Sequence, residues 1–573
     1  MSEEQASESA VSGSQYIKEE EMAEEKEAPK KATRREFVKG ATVGAAAAAG
    51  AGVLASCASP QGEVGLQGPA GPAGPAGPAG PSGVTEIEWD YETDVVVAGS
   101  GFAGMSAAVR AAKEGAKVIL VEIGSWLGGS SSFGGVSIHS TNANTYEQYV
   151  KDIQNLHDPV LSEVYWKTFQ EYKVWLMDIG AYVQVSPSRP AEGDFPGELK
   201  AGEETPADDK RFFDSLAAVF EADGGTILLK TRALEILTDA DGTIIGLKAS
   251  VWSTSPVQKD LEMINIKAKA VILGTGGFQA NPELRQRYLG PEADLAAVSG
   301  CPYNMGDGMR MGQKVGASLG GGFSSISGTY TFARPCKYPI EDPEVYEKGP
   351  YPDGDRSVAR LNAMVMAGTP SGYILVNLNG LRFVDERASY PREHISVLKQ
   401  PQAKAIMIFD QPMYDSIGPT TGTRIPWEER VQHMPEFGAV MLKGDTMSEL
   451  ADQMAALPTP VHKANFLKTI AEYEAAVDAG TAADLEVART GAAKEIKTPP
   501  FYAIPVTVSM YCTYGGLAIN TSAQVLDYQK RPIPGLYAPP WAGWGGMRNI
   551  YGGGMATCGA YGYIAGKHAV DNL

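Results

Sequence analysis

The chain has 573 residues, 43% of them hydrophobic and 20% charged, which is enough for a large core and for two or three domains. Its formal net charge of −19 argues against a nucleic-acid partner and against attraction to anionic membranes by charge alone. The 66 glycines are typical of an α/β protein whose loops approach a ligand closely.

An export signal is predicted at the start of the chain. Arg34 and Arg35, followed by Phe37, match a twin-arginine motif, and a short alanine-rich stretch at 40–52 follows it. That stretch ends before Cys57 in a sequence similar to a lipobox, so residues 1–57 predict a signal followed by an acylated cysteine. The alternatives are a chance basic cluster and ordinary signal-peptidase cleavage near Cys57. We therefore expect an extracytoplasmic protein, in the periplasm or cell envelope, that the Tat translocase exports and a lipid anchor attaches.

A collagen-like segment comes next. Eight glycines recur at every third position between Gly62 and Gly83, mostly in Gly-Pro-Ala triplets. So few triplets favour a semi-rigid extended stalk, at 58–88, over a trimerising stem, although both remain open.

A dinucleotide-binding fingerprint follows the stalk. Residues 95–98 predict a strand, a glycine turn and an alanine-rich helix follow, and residues 117–121 predict a second strand that ends at an acid. The helix N-terminus suits a pyrophosphate, and the acid suits a ribose hydroxyl. The predicted contacts are Gly99, Gly101, Phe102, Ala103, Gly104 and Glu122.

No metal or haem site is predicted. The five cysteines are widely spaced without a CxxC pair, and the six histidines form no HxxxH or HxH pair.

The rest of the chain predicts an α/β nucleotide-binding fold with an insertion. Helical spacing marks 146–177, strands are predicted around the turn at 239–242, and a second strand ends in a glycine turn at 274–277. Residues 323–497 depart from this pattern and predict a separate lobe, whereas 498–573 return to glycine-rich strands and turns. The cleft between the lobes is the expected site.

Several motifs occur in the order found in a known superfamily. They are the fingerprint with Glu122, the segment 128–131, the segment 273–278, the segment 306–308, the segment 380–386 and the segment 535–538. On these the chain resembles the FAD-dependent flavoproteins of the fumarate reductase and 3-ketosteroid dehydrogenase superfamily, of the FAD-dependent oxidoreductase 2 type, over residues 90–573. The resemblance implies hydride exchange between flavin N5 and a C–C bond.

The resemblance also implies an architecture. A Rossmann-type FAD-binding domain, at 89–322 and 498–573, would be interrupted by an α+β capping domain at 323–497 that holds the substrate. The FAD should be non-covalent, because no histidine near 128–134 corresponds to the one that links flavin in respiratory complexes. The implied further FAD contacts are Gly128, Gly129, Ser130, Ser131, Gly134, Gly135, Thr275, Gly276, Asp307, Gly554, Met555, Ala556 and Thr557.

Three departures bear on the substrate. Tyr390 stands where fumarate reductases have the arginine acid, Cys512 where they have a dicarboxylate-binding histidine, and Tyr551 where they have a second carboxylate-binding arginine. Fumarate and succinate are therefore disfavoured, because a buried carboxylate without a cation is costly. Tyrosines at both places resemble the ketosteroid dehydrogenase branch instead.

The predicted catalytic residues are two tyrosines and, as alternatives, two arginines. A tyrosine hydroxyl can protonate a carbanion, remove a proton as tyrosinate, or hydrogen-bond an enone carbonyl. Tyr390 and Tyr551 can also simply line an apolar pocket. Arg387 or Arg392 is the donor instead if the register is displaced by a few residues.

Three functions remain open from the sequence. The first is an exported FAD-dependent reductase of a C=C bond in a conjugated enone, aryl-alkene or steroid-like molecule, consistent with anaerobic respiration. The second is the reverse oxidation, as in 3-ketosteroid Δ1-dehydrogenases, or a fumarate-reductase-like activity on a carboxylate. The third is a non-catalytic surface binding protein. No fused haem domain or second dinucleotide fingerprint is recognised, so a separate membrane or periplasmic electron-transfer partner is expected.

Overall fold

The computed structural model describes residues 87–573 apart from 134, 142, 144, 188–196, 203–205, 252–261, 334–363, 387–389, 420–424, 492 and 549. The predicted export signal and almost all of the collagen-like segment thus lie outside the described residues. In the described part, no helix combines the length and the apolar character that a membrane span requires.

The fingerprint strand lies inside a mostly parallel six-stranded sheet. Val95–Ala98 is fully buried and pairs in parallel with Val118–Val121 on one side and with Ala270–Leu273 on the other. The continuous apolar runs of these strands are typical of a parallel sheet that is covered on both faces. The strand order across this first sheet is Gln524–Leu526, Pro532–Tyr537, Ala270–Leu273, Val95–Ala98, Val118–Val121 and Thr226–Leu228, and only the first pair is antiparallel.

Two helices, one near each end of the predicted FAD-binding domain, pack against each other beside this sheet. The helix Phe102–Lys113 follows the fingerprint strand, and the last helix, Gly554–Asp571, packs against it. A Cβ at Gly562 would lie 2.2 Å from the Ala103 carbonyl oxygen. A side chain there would therefore push the two helices apart.

A second sheet carries most of the predicted capping lobe. Its central strand, Phe501–Thr513, pairs with Ala405–Asp410 and with Ile326–Phe332, and it also pairs in parallel with Ala297–Val298. This sheet therefore uses residues on both sides of the predicted boundaries at 323 and 498, which stay predictions. Its remaining strands are Ile374–Val376 and Leu442–Gly444.

Two smaller sheets and the remaining helices complete the described fold. The strands Thr231–Thr238 and Ile244–Val251 form the predicted hairpin, in a sheet with Glu262–Lys267 and Tyr91–Glu92. Three short strands, Ser137–Ile138, Leu199–Lys200 and Gln184–Val185, form the other sheet. The other α-helices are Tyr146–Asp152, Pro159–Asp178, Pro206–Ala222, Pro282–Tyr288, Asp307–Lys314, Tyr390–Leu398, Gln411–Tyr414, Trp427–His433, Met447–Ala455 and Lys463–Asp478, and the 3₁₀ helices are Gly129–Phe133, Ala293–Leu295, Pro401–Ala403, Met434–Phe437 and Ala482–Asp484.

Candidate active site

A cleft opens where two parallel strands of the first sheet end. Gly99 follows the strand Val95–Ala98, Gly274 follows Ala270–Leu273, and both glycines line the cleft. The cleft holds about 820 Å³ of open space, part of it shared with solvent. Ligands of α/β proteins bind at this edge of the sheet. The predicted residues that line it are Gly99, Gly101, Phe102, Ala103, Glu122, Gly129, Ser130, Ser131, Thr275, Gly276 and Asp307.

The glycine turn leaves no room for side chains. Gly99 has a φ of 99°, and a Cβ there would lie 2.5 Å from the Gly274 carbonyl oxygen. A Cβ at Gly104 would lie 1.9 Å from the Gly99 oxygen, so the helix approaches the turn as closely as its backbone allows. Gly101 is the N-cap of the helix and has no side chain to cap it, which leaves this helix N-terminus suited to an anion.

Glu122 is buried at the end of the next strand, 4% exposed. Its Oε2 accepts from the Ser100 backbone N–H at 2.8 Å and from Ser100 Oγ at 2.7 Å, and its Oε1 accepts from the Gly124 N–H at 2.6 Å. Burial raises the pKa of this carboxyl group, and the hydrogen bonds lower it. These bonds fix the carboxylate where it lines the cleft, in the place predicted for a ribose contact.

The predicted segment after the second strand lines the cleft beside the glycine turn. Ser131 Oγ accepts from the Phe102 N–H at 3.3 Å. Ser130 Oγ accepts from the Cys301 N–H at 2.8 Å, which ties this segment to the loop at 301. Gly128, with a φ of 106°, and Gly135 are described but lie outside this lining, and Gly134 lies outside the described residues.

Two buried polar atoms at the cleft bear on whether it fits the FAD that the resemblance implies. Thr275 Oγ1 and Gln279 Oε1 are buried at the cleft and have no hydrogen-bond partner among the described residues. An unpaired buried polar atom is costly, so a polar ligand that supplies partners is expected. With the glycine turn and Glu122, these residues fit FAD, which would be held by the turn, the helix N-terminus and Thr275. When bound, FAD supplies hydride transfer at N5.

Asp307 is part of an ion-pair group at the cleft. Arg232 donates to both of its carboxylate oxygens, from Nε at 2.9 Å and from Nη2 at 3.1 Å, and Arg310 Nη2 donates at 3.2 Å. Asp307 begins the helix Asp307–Lys314. The carboxylate predicted as an FAD contact is therefore held in place by Arg232.

Tyr551 lies at the N-terminus of the last helix. A backbone hydrogen bond from the Gly554 N–H lowers the pKa of its hydroxyl, but burial dominates and raises that pKa to about 12. A Cβ at Gly554 would lie 3.5 Å from the Tyr551 hydroxyl, so the two are in contact. The predicted contacts Ala556 and Thr557 are buried in the first turn of this helix, and Met555 is partly buried.

Two cysteines approach Tyr551. Cys512 and Cys558 both line the cleft, and both interact electrostatically with the Tyr551 hydroxyl. Burial raises the pKa of Cys512 to about 12 and that of Cys558 well above its usual range. Both are therefore neutral thiols at physiological pH.

The predicted donor segment is only partly described. Tyr390 begins the helix Tyr390–Leu398, but its side chain and the whole of Arg387 lie outside the described residues. Arg392 is partly buried, and its backbone oxygen accepts from Ser396 Oγ at 2.8 Å. The described contacts do not bring Arg392 to the cleft.

Other lining residues were not predicted as contacts. Trp541 lines the cleft and packs on Tyr514 with ring centroids 4.6 Å apart, whereas Trp544 packs against Gly320 and Gly321 away from it. Trp541 therefore faces the site, and Trp544 does not. The additional lining residues include Arg232, Gln279, Cys301, Tyr303, Asn304, Trp541 and Cys558. Within the described ranges, no cluster of three histidine, cysteine or carboxylate side chains is placed to hold a metal.

Comparison with known proteins identifies the family. A model described as the FAD binding domain matches residues 94–539. The chain is 27% identical over 499 residues to a probable fumarate reductase, Ifc3, of Shewanella frigidimarina, covering 84% of this chain and 76% of that one. It is also 27% identical over 499 residues to a vinyl phenol reductase of Lactiplantibacillus plantarum, covering 83% and 95%.

The fold is similar to that of solved ketosteroid enzymes. The 3-ketosteroid Δ1-dehydrogenase of Sterolibacterium denitrificans superposes with a TM-score of 0.60 at 19% identity, covering 84% of this chain and all of that one. This likeness confirms the predicted α/β fold with its Rossmann-type FAD-binding domain. The chain belongs to the FAD binding domain family and is an FAD-dependent oxidoreductase that acts on C=C bonds.

Proposed function

We propose that this protein is an exported reductase for the C=C bond of a conjugated, mostly neutral or aromatic molecule such as an enone, an aryl-alkene or a steroid-like compound. The charge of the cleft carries this proposal. Of the described residues that line it, Arg232 alone is positive, and its guanidinium is bonded to both oxygens of Asp307. A dicarboxylate would need cations, and the described lining residues offer it only the guanidinium that already pairs with Asp307.

The wall near Tyr551 is neutral as well. Cys512 and Cys558 present protonated thiols, because burial raises the pKa of each. The name of the vinyl phenol reductase indicates that one relative acts on a neutral aromatic alkene. A neutral wall and such a relative both favour an uncharged conjugated substrate.

The two tyrosines have different roles in this proposal. Tyr390 gives the proton to the α-carbon while the β-carbon receives the hydride. The Tyr551 hydroxyl hydrogen-bonds the substrate oxygen and stabilises the negative charge that develops there. This assignment rests on the position of Tyr551 at the last helix, where Gly554 holds its hydroxyl.

The reverse oxidation, of the 3-ketosteroid Δ1-dehydrogenase type, is the second candidate. It needs a tyrosinate as the base. Burial raises the pKa of Tyr551 to about 12, so this tyrosine is protonated at neutral pH. A protonated tyrosine suits donation and therefore favours reduction.

The remaining proposals concern location and partners. The twin-arginine motif and Cys57 support export by the Tat translocase and attachment to the envelope through a lipid anchor. The FAD would be bound non-covalently and would receive its electrons from a separate membrane or periplasmic donor. Cell fractionation and acid precipitation, which separates free from covalent flavin, test these two points.

The reaction can be tested on the purified full chain. The enzyme is reduced anaerobically with a low-potential dye, and flavin reoxidation is followed with fumarate, urocanate, cinnamates, 4-vinylphenol and an enone steroid. We expect rapid reoxidation by a neutral enone or aryl-alkene and little by fumarate. Tyr390→Phe should slow it at least about 100-fold, because a positioned proton donor contributes that much.

The matched control is Tyr528→Phe, since Tyr528 is 71% exposed. It should retain the wild-type rate. Rapid turnover of fumarate would contradict the neutral-substrate proposal, and an unchanged rate in Tyr390→Phe would remove Tyr390 as the donor.

A further inference from the structure

A buried side-chain amide at the cleft joins segments that are far apart in the sequence. Gln279 comes soon after the glycine turn at 274–277 and lines the cleft. Its side-chain nitrogen, Nε2, donates to the Tyr511 backbone oxygen at 2.8 Å and to Ser130 Oγ at 3.2 Å. Tyr511 belongs to the central strand of the second sheet, and Ser130 to the segment beside the fingerprint turn. The amide therefore links both segments to the wall of the cleft.

These two hydrogen bonds fix which end of the amide carries the oxygen. A backbone carbonyl oxygen only accepts, so the Gln279 atom that lies 2.8 Å from the Tyr511 oxygen has to be the nitrogen. Exchanging the two ends of the amide would place two oxygens against each other at this distance. The other end of the Gln279 amide is therefore an acceptor.

The hydroxyl group of Ser130 has no capacity for a further partner. It donates to Asn304 Oδ1 at 3.1 Å, and it accepts from the Cys301 N–H at 2.8 Å and from Gln279 Nε2 at 3.2 Å. A serine hydroxyl has one hydrogen and two lone pairs, and all of them are used here. The network therefore holds Nε2 in place and offers Oε1 no donor from Ser130.

Gln279 Oε1 is the acceptor that this network leaves without a partner. The residue is fully buried, and no group in the described part of the chain donates to Oε1. An unpaired buried acceptor is costly, so this atom requires an O–H or N–H donor. Because Gln279 lines the cleft, a ligand bound in the cleft can supply that donor.

The amide lies between two parts of the cleft that suit different ends of FAD. On one side it is bonded to Ser130, and the adjacent Ser131 accepts from the first N–H of the helix that suits the pyrophosphate. On the other side it is bonded to Tyr511, and the adjacent Cys512 lines the cleft and interacts with Tyr551. In FAD, a ribityl chain joins the pyrophosphate to the flavin ring, and the hydroxyl groups of this chain are hydrogen-bond donors.

We propose that Gln279 recognises the ribityl chain of FAD, and that its Oε1 accepts a hydrogen bond from one of the ribityl hydroxyl groups. The bond from Nε2 to the Tyr511 oxygen makes the central strand of the second sheet part of the support for the cofactor. The placement of the flavin ring toward Tyr551 rests on the proposed function, whereas the unpaired acceptor does not.

The contact can be measured on the full chain as the affinity for FAD. Apoprotein is prepared from a riboflavin-starved host, and the dissociation constant is obtained from the change in flavin fluorescence. Gln279→Leu should bind FAD about tenfold more weakly, because a ribityl hydroxyl then loses its buried acceptor. An unchanged dissociation constant in this variant would overturn the proposal.

FAD analogues that each lack one ribityl hydroxyl separate this contact from a general loss of structure. One analogue should bind to the wild-type protein about tenfold more weakly than FAD, since it leaves Oε1 unpaired. Gln279→Leu should bind that analogue at least as tightly as FAD, because the acceptor is already gone. The same ratio of dissociation constants in both proteins for every analogue would overturn the contact. If Gln279→Leu fails to fold, wild-type protein that binds every analogue as tightly as FAD overturns it.

The matched control is Gln529→Leu, because Gln529 lies in an exposed turn away from the cleft lining. Its affinities for FAD and for the analogues should match the wild type. Flavin reoxidation by conjugated acceptors is measured separately on the wild-type protein. If no acceptor reoxidises the flavin although the analogues are discriminated, the proposed function fails and the Gln279 contact stands. If acceptors reoxidise the flavin and the discrimination is absent, the contact alone fails.

Discussion

Glu393 is a buried carboxyl group, 5% exposed, in the core around the second sheet. Its Oε2 accepts from the Tyr373 hydroxyl at 2.8 Å and from the Tyr330 hydroxyl at 3.2 Å. Burial raises its pKa to about 7, against the lowering effect of the two tyrosines, and nearby Glu386 raises it further. The folded protein thus holds this carboxyl group partly protonated near neutrality.

Glu393→Gln should change how stability depends on pH. An acid whose folded-state pKa lies above its unfolded value destabilises the fold progressively as pH rises between the two, up to about 7 here. A neutral glutamine avoids this cost, so the variant should gain stability relative to wild type at pH 8 compared with pH 5. Between pH 5 and pH 8, the variant's free energy of unfolding relative to wild type should rise by at most on the order of 3 kcal/mol. Thermal midpoints of both proteins at the two pH values check this expectation.

An exposed glutamate provides the comparison for this change. Glu472 is 60% exposed in its side chain, so Glu472→Gln makes the same chemical change outside the core. The same stability difference at pH 5 and pH 8 in Glu393→Gln would contradict the assigned protonation.

Single residues differed in how far the sequence could place them. Gly99 and Glu122 were placed by a local motif, because strand, turn and acid follow one another at fixed spacing. Arg232 and Glu198 have no such local signal. Arg232, on the strand Thr231–Thr238, reaches Asp307 at the start of a helix. Glu198 reaches His139 through strands of two residues, which are too short to show a hydrophobic period.

The segment that leads to the helix Tyr390–Leu398 is fixed by a buried ion-pair group. Arg382 donates to Glu386 through Nη2 at 2.6 Å and Nε at 3.1 Å, and Arg489 Nη1 donates to it at 3.2 Å. Arg382 Nη1 also donates to the Val487 backbone oxygen at 2.7 Å. The arginine and glutamate of the sequence motif at 380–386 therefore anchor the chain just before the predicted donor.

Arg382→Met should break this anchor. It leaves the Glu386 carboxylate, which is fully buried, with one arginine instead of two, and removing a partner from a buried ion pair typically costs about 3–5 kcal/mol. The thermal midpoint should fall by several degrees, measured by flavin release.

The control for this change is a surface pair. Arg531 pairs with Asp527 but is 71% exposed in its side chain, so Arg531→Met should cost less than about 1 kcal/mol. Equal losses in the two variants would show that burial of the Arg382 pair adds nothing.

Elements with a strong local pattern were predicted, and long-range pairing was not. The hairpin around 239–242 and the helices within 146–177 follow directly from turn residues and helical spacing. The sequence predicts the strand Phe501–Thr513 as part of the C-terminal segment of the FAD-binding domain. In the structure, it is the central strand of the second sheet. Its pairing partners lie far away in the chain, so no local pattern indicates them.

At the scale of the whole molecule, that strand joins the second sheet to the cleft. Phe501 pairs with strands of the second sheet, whereas Cys512, near the other end, lines the cleft. One continuous strand thus belongs both to the second sheet and to the wall of the cleft. The Tat route, which the twin-arginine motif predicts, would carry such a protein across the membrane already folded.

Replacing Arg34 and Arg35 with lysines should retain the protein in the cytoplasm with its FAD bound, because the Tat route recognises the arginine pair and carries folded, loaded proteins. Cys57→Ser should still be exported but should leave the membrane fraction, since it removes the predicted acylation site. Fractionation with flavin measured in each fraction distinguishes the two variants. Export of the double-lysine variant at the wild-type level, or cytoplasmic protein without flavin, would contradict cofactor loading before Tat export.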